Sequence, residues 1–298
     1  MSSLVLNSDS PSLGLPAANK ATSPPAAPPT ETSATTKNSA TTNTSSTTLP
    51  PLSTTKVPLG DGISSVTLVH LLNPQGGVFS QKKKQCDLWE FVWGTSLLFC
   101  RLLHRLPLND TISVLEVGCG SALCGLTCAL GGAHVLSSDS VEDAVIIAEQ
   151  SANANQLTRE NIRFEKRNWE KLEMFEEGTF DVVLGSDILF YRGAAPHVAN
   201  VVARSLTQEG CALIADPVRL NVDDFCDRLD RLGCTTEVRQ FENAAEIIDQ
   251  VSALGQGKDA FVKLKLAKLV VVRRKSAQTI NLIVNAVMEM TEEFVDVE

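Results

Sequence analysis

The amino-acid sequence predicts an α/β fold in which a mostly parallel sheet of seven strands carries helices on both faces. Three observations lead to this expectation. From Ile112 onwards, short apolar segments of strand type alternate with amphipathic helical segments, which is typical of parallel βαβ units. The run from Val114 to Gly125 passes from an apolar strand through a glycine-rich turn into an apolar helix. Residues 252–258, before the last strand, are too few for a crossover helix, so we expect that strand to run antiparallel.

Residues 1–56 are expected to form a disordered tail. Ser, Thr, Pro and Ala dominate this segment, and it contains no aromatic residue. Such a segment cannot bury enough apolar area to offset the entropy lost on ordering. The folded domain is therefore predicted over 57–275, with an N-terminal extension at 57–110, and a partly helical tail at 276–298.

The individual elements follow from the spacing of apolar residues. In the extension, residues 65–72 predict a strand and residues 88–106 a helix, which Pro107 should end because proline lacks the backbone N–H. The strands of the sheet are predicted at 112–116, 134–138, 162–166, 181–186, 211–216, 235–241 and 261–273. Helices are predicted at 123–130, 141–155, 195–206 and 222–232, with one more at 280–290 in the C-terminal tail.

Composition and charge narrow the possible functions. No apolar run reaches the roughly 18 residues that span a bilayer, so no membrane role is expected. The eight cysteines form no Cys-x-x-Cys pair, which favours reduced thiols, no metal site, and a location in the cytoplasm or the nucleus. Net charge is −9, and because the first 56 residues hold three lysines against two acids, the rest carry about −10. An acidic domain favours basic partners over nucleic acid.

The glycine-rich turn after the strand at 112–116 should open the ligand crevice of the sheet. Its glycines are Gly118, Gly120 and Gly125, whereas a dinucleotide fingerprint has glycine at the first, third and sixth positions. Leu123 occupies the sixth position here. The acid before the turn, Glu116, would repel a pyrophosphate because both groups are negatively charged. A nicotinamide or flavin is therefore less favoured than a ligand that carries an amine or another positive group.

Polar and aromatic residues at three later strand ends add to this site. Asp139 lies 21 residues after Gly118, where a carboxylate accepts the hydroxyls of a ribose. Asn168 and Trp169 follow the third strand and suit the flat ring and polar edges of a purine. The segment 186–191, Ser-Asp-Ile-Leu-Phe-Tyr, follows the fourth strand and holds the chain's only tyrosine. Because aromatic residues are scarce in this chain, their clustering at the strand ends predicts a lined pocket.

Together these residues resemble the class I S-adenosylmethionine-dependent methyltransferases, and among them the family 16 protein lysine methyltransferases. The similar motifs are Glu116-Val-Gly-Cys-Gly, Asp139, Asn168-Trp169, Asp187-x-x-Phe190, and Trp93 in the helix before the fold. The resemblance covers roughly residues 86–272. It implies a Rossmann-like sheet, S-adenosylmethionine as the cofactor, and transfer of a methyl group to a protein side chain, lysine first. The protein partner would be basic or lysine-bearing, and we expect the enzyme to be a monomer.

The resemblance also implies a role for each site residue. The cofactor-binding set would be Trp93, Glu116, Gly118, Cys119, Gly120, Asp139, Asn168, Trp169 and Ser186. Within it, Glu116 would face the cofactor's amino group, Asp139 the ribose, and Asn168 with Trp169 the adenine. The catalytic set would be Asp187, Phe190 and Tyr191, in which Asp187 orients the substrate amine and the two rings wall the channel.

The sequence departs from the family pattern at two places. Asn168 stands where the family usually has Asp, although an amide oxygen can still accept from the adenine amine. Trp93 is followed by Gly-Thr-Ser, whereas the family often has x-Ala-Ala there. The packing of that helix against the site is therefore left open.

Other classes stay open at this point. A small-molecule methyltransferase on the same fold is the first alternative, because no second substrate domain is evident. A nucleic-acid methyltransferase is less favoured, because Ile188 and Leu189 replace the two prolines that shape a base pocket in those enzymes. A non-catalytic binding module is disfavoured by the intact motifs, and a nicotinamide-dependent oxidoreductase by the glycine spacing.

Overall fold

A computed structural model describes residues 51–72, 88–217, 221–241, 261–262, 267–279 and 281–292. Residues 1–50 and 252–258, on which the predictions of a disordered tail and of a short loop fall, lie outside these ranges. None of the described helices is long and apolar enough to cross a membrane.

The strands, in chain order, are β1 (Leu52–Pro58), β2 (Ser65–Leu71), β3 (Val92–Trp93), β4 (Ser113–Val117), β5 (His134–Asp139), β6 (Ile162–Lys166), β7 (Phe180–Ser186), β8 (Leu206–Pro217), β9 (Cys234–Phe241), β10 (Phe261–Val262) and β11 (Ala267–Arg274). The helices are α1 (Gly94–His104), α2 (Leu123–Leu130), α3 (Glu142–Ala154), α4 (Ala194–Ser205), α5 (Asn221–Arg231) and α6 (Leu282–Glu292), with short 3-10 turns at Leu88–Glu90 and Leu172–Met174. The predicted positions are confirmed to within a few residues, apart from three segments discussed below.

The main sheet has seven strands in the order β6-β5-β4-β7-β8-β11-β9. Its neighbours pair in parallel, except that β11 is antiparallel to both β8 and β9. The predicted fold class, including the antiparallel last strand, is confirmed. The strand order reverses between β4 and β7, and a ligand crevice is expected outside the carboxyl ends of the strands at such a point.

Helices cover both faces of this sheet and bury two apolar cores. Helices α1, α2, α3 and α6 contribute to the core on one face, together with the hairpin of β1 and β2. Helices α4 and α5 form the core on the other face. The central strands are buried on both sides, as Leu115 on β4 and Leu213 on β8 illustrate. This rigid sheet fixes where its carboxyl edge, and so the crevice, lies.

The folded part of the chain begins earlier than predicted, with the hairpin of β1 and β2. Strand β1 begins at Leu52, so the prediction of disorder over residues 1–56 is wrong for 52–56. Helix α3 supports the hairpin: the Val69 N–H donates to Ser151 Oγ at 2.9 Å and the Thr67 N–H donates to Asn155 Oδ1 at 2.8 Å. These bonds satisfy the backbone of an edge strand with side chains more than 80 residues away, which local composition cannot indicate.

Two further predictions fail for one shared reason. The helix predicted from residue 88 begins only at Gly94, and the strand predicted over 261–273 is two separate strands, β10 and β11. Strand β10 pairs in parallel with β3, which keeps the backbone at Trp93 extended. The Trp93 indole Nε1 also donates to the Leu88 carbonyl at 3.0 Å. Long-range pairing therefore overrides the apolar helical spacing of this segment.

Candidate active site

A pocket lies at the carboxyl edge of β4, β5 and β7. It is lined by Leu88, Trp89, Phe91, Trp93, Ser96, Glu116, Gly118, Cys119, Gly120, Ser121, Leu123, Cys124, Asp139, Ser140, Val141, Trp169, Ser186, Asp187, Ile188 and Phe190. Ten of the twelve predicted site residues are among them. Two predicted residues that the structure describes, Asn168 and Tyr191, lie outside this lining.

Glu116 is a buried acid at the base of the pocket. Its side chain accepts a hydrogen bond from Ser137 Oγ at 2.5 Å and another from the Gly125 N–H. Burial raises the pKa of this carboxyl from its ordinary value to about 7, and the two hydrogen bonds oppose the rise. The group therefore titrates near neutral pH, and a cation placed beside it would favour its ionised form.

Two glycines of the turn are required by their surroundings. Gly118 has φ of +66°, and a Cβ there would lie 2.8 Å from Trp169 Cζ3 and 2.9 Å from Ile188 Cγ2. A Cβ at Gly125 would overlap the Glu116 carboxylate. Glycine is therefore required at position 125 because this residue contacts Glu116. A comparison with the dinucleotide fingerprint does not reveal this requirement.

Asp139 ends β5 and points its carboxylate back to the glycine turn. Its two oxygens accept from the Gly120 N–H at 2.9 Å and from the Val141 N–H at 3.0 Å. Burial raises the pKa of this carboxyl, and these backbone bonds oppose the rise. Each carboxylate oxygen has a second lone pair, so Asp139 can still accept from a pair of ligand hydroxyls.

Trp169 joins the two sides of the pocket. Its ring lies against the backbone of Gly118, and its Nε1 donates to the Tyr191 hydroxyl at 3.2 Å. The Tyr191 hydroxyl in turn donates to Glu170 Oε1 at 3.2 Å, and its ring centroid is 5.1 Å from that of Phe190. The Tyr191 side chain therefore contacts Trp169, Glu170 and Phe190 outside the pocket lining, and its role as a wall of the channel stays a prediction.

Asn168 also lies outside the pocket lining. Its side-chain oxygen accepts from the Glu170 N–H at 2.9 Å, and its carbonyl accepts from the Lys171 N–H at 2.9 Å. The amide thus stabilises the turn that carries Trp169. Its contact with the ligand ring stays a prediction.

Asp187 stands at the start of the segment after β7 in a conformation that few non-glycine residues adopt. Its φ is +60°, and the residue is only 9% exposed. The Asp187 N–H donates to the Ala215 carbonyl at 2.8 Å, and Thr95 Oγ1 donates to Asp187 Oδ2 at 3.1 Å. Such backbone strain persists only where surrounding contacts enforce it, and it is concentrated at functional sites.

Several residues of the site were missed from the sequence. Asp216, fully buried at the end of β8, accepts from the Leu189 N–H at 2.9 Å, and Asn221 Nδ2 donates to the Leu189 carbonyl at 2.8 Å. Leu88 and Phe91 line the pocket from the segment before β3, together with Trp89, one of the aromatic residues whose clustering predicted a lined pocket. The available signal for Asp216 was its position as an acid at the end of a strand.

The cysteines near the site are packing residues. Burial raises the pKa values of the Cys119, Cys124 and Cys128 thiols well above the ordinary value, so they stay protonated and unreactive. The seven cysteines that the structure describes are free. Cys124 lies beside the side chain of Ser186 at the pocket wall.

The donor set fits S-adenosylmethionine. That molecule carries an ammonium group, ribose hydroxyls and a flat purine, and the pocket offers a buried acid, a strand-end acid and aromatic rings. The turn at Gly118 and Gly120, both with positive φ, presents bare backbone to the pocket. A pyrophosphate, in contrast, would meet two carboxylates, Glu116 and Asp139.

The strand order and this site define a class I S-adenosylmethionine-dependent methyltransferase. Residues 78–231 match the profile of the family described as lysine methyltransferase. The chain belongs to this family, and it is an S-adenosylmethionine-dependent N-methyltransferase that acts on protein.

Curated relatives agree with this assignment. The chain is 27% identical over 154 residues to the protein N-lysine methyltransferase METTL21A of Xenopus tropicalis, a match that covers 50% of this chain and 70% of that protein. It is 26% identical over 162 residues to METTL21A of Mus musculus, covering 53% of this chain and 74% of that protein. A histidine protein methyltransferase 1 homolog of Dictyostelium discoideum is 24% identical over 143 residues, covering 47% of this chain and 42% of that protein.

Proposed function

We propose that this enzyme methylates a lysine side chain within a basic segment of a protein. One observation carries the proposal: a carboxylate, Asp187, is held at the pocket in a strained conformation beside the exposed ring of Phe190. A carboxylate and an aromatic face are the groups that complement an amine and the cation formed from it. The overall negative charge of −9 supports a basic partner.

The cofactor-binding roles follow from the contacts at the strand ends. Glu116 is placed to pair with the ammonium of the cofactor, and Asp139 to accept from its ribose hydroxyls. Gly118, Cys119 and Gly120 let the ligand approach the backbone, while Trp93 and Trp169 close the pocket from two sides. When bound, S-adenosylmethionine supplies a methyl group that is already electrophilic.

Asp187 serves to orient the amine rather than to act as a strong base. A lysine must lose its proton before Nζ can attack, and its ordinary pKa is about 10.4. The aromatic wall at Phe190 favours the neutral amine by excluding water, whereas a nearby carboxylate favours the charged form. Bound S-adenosylmethionine would supply the methyl carbon to Nζ, with the electrons of the broken C–S bond kept by sulfur, and the lysine proton would pass to solvent. The contribution of the protein is therefore mainly alignment.

Histidine is the second candidate target, because a histidine protein methyltransferase is among the relatives. Neutral imidazole needs no deprotonation to attack, so a carboxylate that attracts cations gives it less advantage. We therefore favour lysine, and the experiment below separates the two.

The test is methyl transfer from radiolabelled S-adenosylmethionine to proteins of a cell extract. We expect protease-sensitive and nuclease-resistant label that acid hydrolysis releases as methyllysine. Asp187→Ala should abolish the labelling, whereas Asp110→Ala, which removes an exposed carboxylate before β4, should leave it unchanged. Label recovered as methylhistidine, or full labelling by Asp187→Ala, would contradict the proposal.

We further propose that the enzyme works as a monomer in the cytoplasm or nucleus without a nucleic-acid partner. The free cysteines support a reducing compartment, and the acidic charge supports discrimination against nucleic acid. Size-exclusion chromatography with light scattering, imaging of the tagged protein, and nuclease-sensitive label in the extract assay are the respective checks.

A further inference from the structure

We infer that Thr95 is a positioning residue, which fixes the carboxylate of Asp187 in the orientation that receives the substrate amine. The inference rests on the proposed role of Asp187. It concerns the place where the sequence departs from the family pattern, since Thr95 lies in the Gly-Thr-Ser segment after Trp93.

The contact between the two residues joins distant parts of the chain. Thr95 is the second residue of α1 and is completely buried, although its side chain is polar. Its Oγ1 donates to Asp187 Oδ2 at 3.1 Å across 92 residues of sequence. Threonine hydroxyls in helices can bond to nearby backbone carbonyls, whereas this one is directed at the side chain of a pocket residue.

The backbone around Asp187 is held by other elements. The Asp187 N–H is bonded to the Ala215 carbonyl of β8, and both backbone groups of Leu189 are bonded, one to Asp216 and the other to Asn221. These bonds set where the Asp187 Cα lies. They leave the rotation of the carboxylate about its terminal torsion, which is broad for aspartate, to be set by contacts of the side chain.

Thr95 supplies such a contact from the side of α1. A donor on Oδ2 selects one carboxylate plane, and with it the direction in which the Asp187 carboxylate faces the pocket that this residue lines. Methyl transfer depends on alignment, so a loosened carboxylate should slow the chemical step more than it weakens binding of the cofactor. The neighbouring Ser96 of α1 and Trp93, the residue before α1, also line the pocket.

The experiment compares Thr95→Val, which removes the hydroxyl while keeping the shape, with Thr95→Ser, which keeps the hydroxyl. Thr127→Val is the matched control: Thr127 is likewise fully buried in a helix and donates to the Leu123 carbonyl at 2.7 Å, away from Asp187. We expect Thr95→Val to lower kcat for the protein substrate by roughly tenfold to a hundredfold, as loss of a hydrogen bond to a charged group would. Thr95→Ser should restore most of kcat, and the cofactor Kd should stay within about twofold in all three variants.

Each outcome decides the inference. A wild-type kcat in Thr95→Val, an equal loss of kcat in Thr127→Val, or a failure of Thr95→Ser to restore activity would overturn it. If Thr95→Val does not fold, the Thr95→Ser and Thr95→Ala pair gives the same comparison, with Tm measured for both. Asp187→Ala separates this inference from the proposed function: full activity there refutes the role of Asp187 itself, whereas loss there with an unaffected Thr95→Val refutes only the role of Thr95.

Discussion

The backbone of Gly125 lies directly against the carboxylate of Glu116, with the Gly125 N–H donating to it. Because Gly125 has no side chain, the Glu116 carboxylate fits against this part of helix α2. Glu116 also lines the pocket. The spacing of the glycine motif is therefore set by the need to hold a buried carboxylate. Gly125, the last glycine of the run, is therefore needed to leave room for the Glu116 carboxylate.

Gly125→Ala should destabilise the protein. Alanine in place of glycine normally stabilises a helix interior by about 0.5–1 kcal/mol. Here the added Cβ would overlap Glu116 Oε2, so we expect a net loss of about 1–3 kcal/mol in the free energy of unfolding. Urea denaturation measures it. In a Glu116→Ala background the same change should be neutral or stabilising, and an equal loss in both backgrounds would contradict the overlap.

Cofactor affinity should rise with pH through the pKa of Glu116. Burial places that pKa at about 7 in the free protein, and the ammonium of the ligand favours the ionised acid. Below pH 7 binding must therefore release a proton, and the Kd for S-adenosylhomocysteine should be roughly eightfold higher at pH 6.0 than at pH 7.5. Calorimetry in two buffers of different ionisation enthalpy reports the released proton. Glu116→Gln should bind more weakly with a flat profile, and a pH dependence retained in that variant would assign it to another group.

Phe190 and Tyr191, the two aromatic residues of the segment after β7, should contribute unequally to catalytic efficiency. Phe190 lines the pocket and is 37% exposed, whereas Tyr191 bonds to Trp169 and Glu170 outside it. We expect Phe190→Ala to lower kcat/KM for the protein substrate by about tenfold or more, and Tyr191→Phe by only a few-fold. Steady-state assays with the identified substrate test this. A larger loss of kcat/KM in Tyr191→Phe than in Phe190→Ala would indicate that the Tyr191 hydroxyl takes part in catalysis.

The sequence predicts the sheet and most of the pocket because their signals are local. Glu116 lies one residue before the end of an apolar strand and Asp139 at the end of the next, and acids in such places indicate the carboxyl edge of a parallel sheet. The parallel topology then brings these ends together without any knowledge of side-chain contacts. The ten predicted residues that line the pocket all follow from that rule or from the family motif.

What the sequence does not predict depends on contacts between distant segments. The start of α1 is decided by pairing of Trp93 with Val262. The orientation of Tyr191 is decided by Trp169, and the place of Asn168 by the turn to Glu170. Helical or strand spacing carries no information on such pairs, since each is selected by packing and hydrogen bonding in the folded state.

Asp216 should be needed to keep the segment after β7 in its catalytic conformation. Its buried carboxylate accepts the Leu189 N–H, and Asp216→Ala would leave that donor without this acceptor in the core, at a cost of about 1–3 kcal/mol in the free energy of unfolding. Because Leu189 lies between Asp187 and Phe190, kcat should also fall, while the cofactor Kd, set at β4 and β5, should change little. Asp216→Asn keeps an acceptor of the same shape and should retain most of the stability and activity. Chemical denaturation, calorimetry with S-adenosylhomocysteine and the methyl-transfer assay give the three quantities, and a cofactor Kd that weakens in step with kcat would place Asp216 in cofactor binding instead.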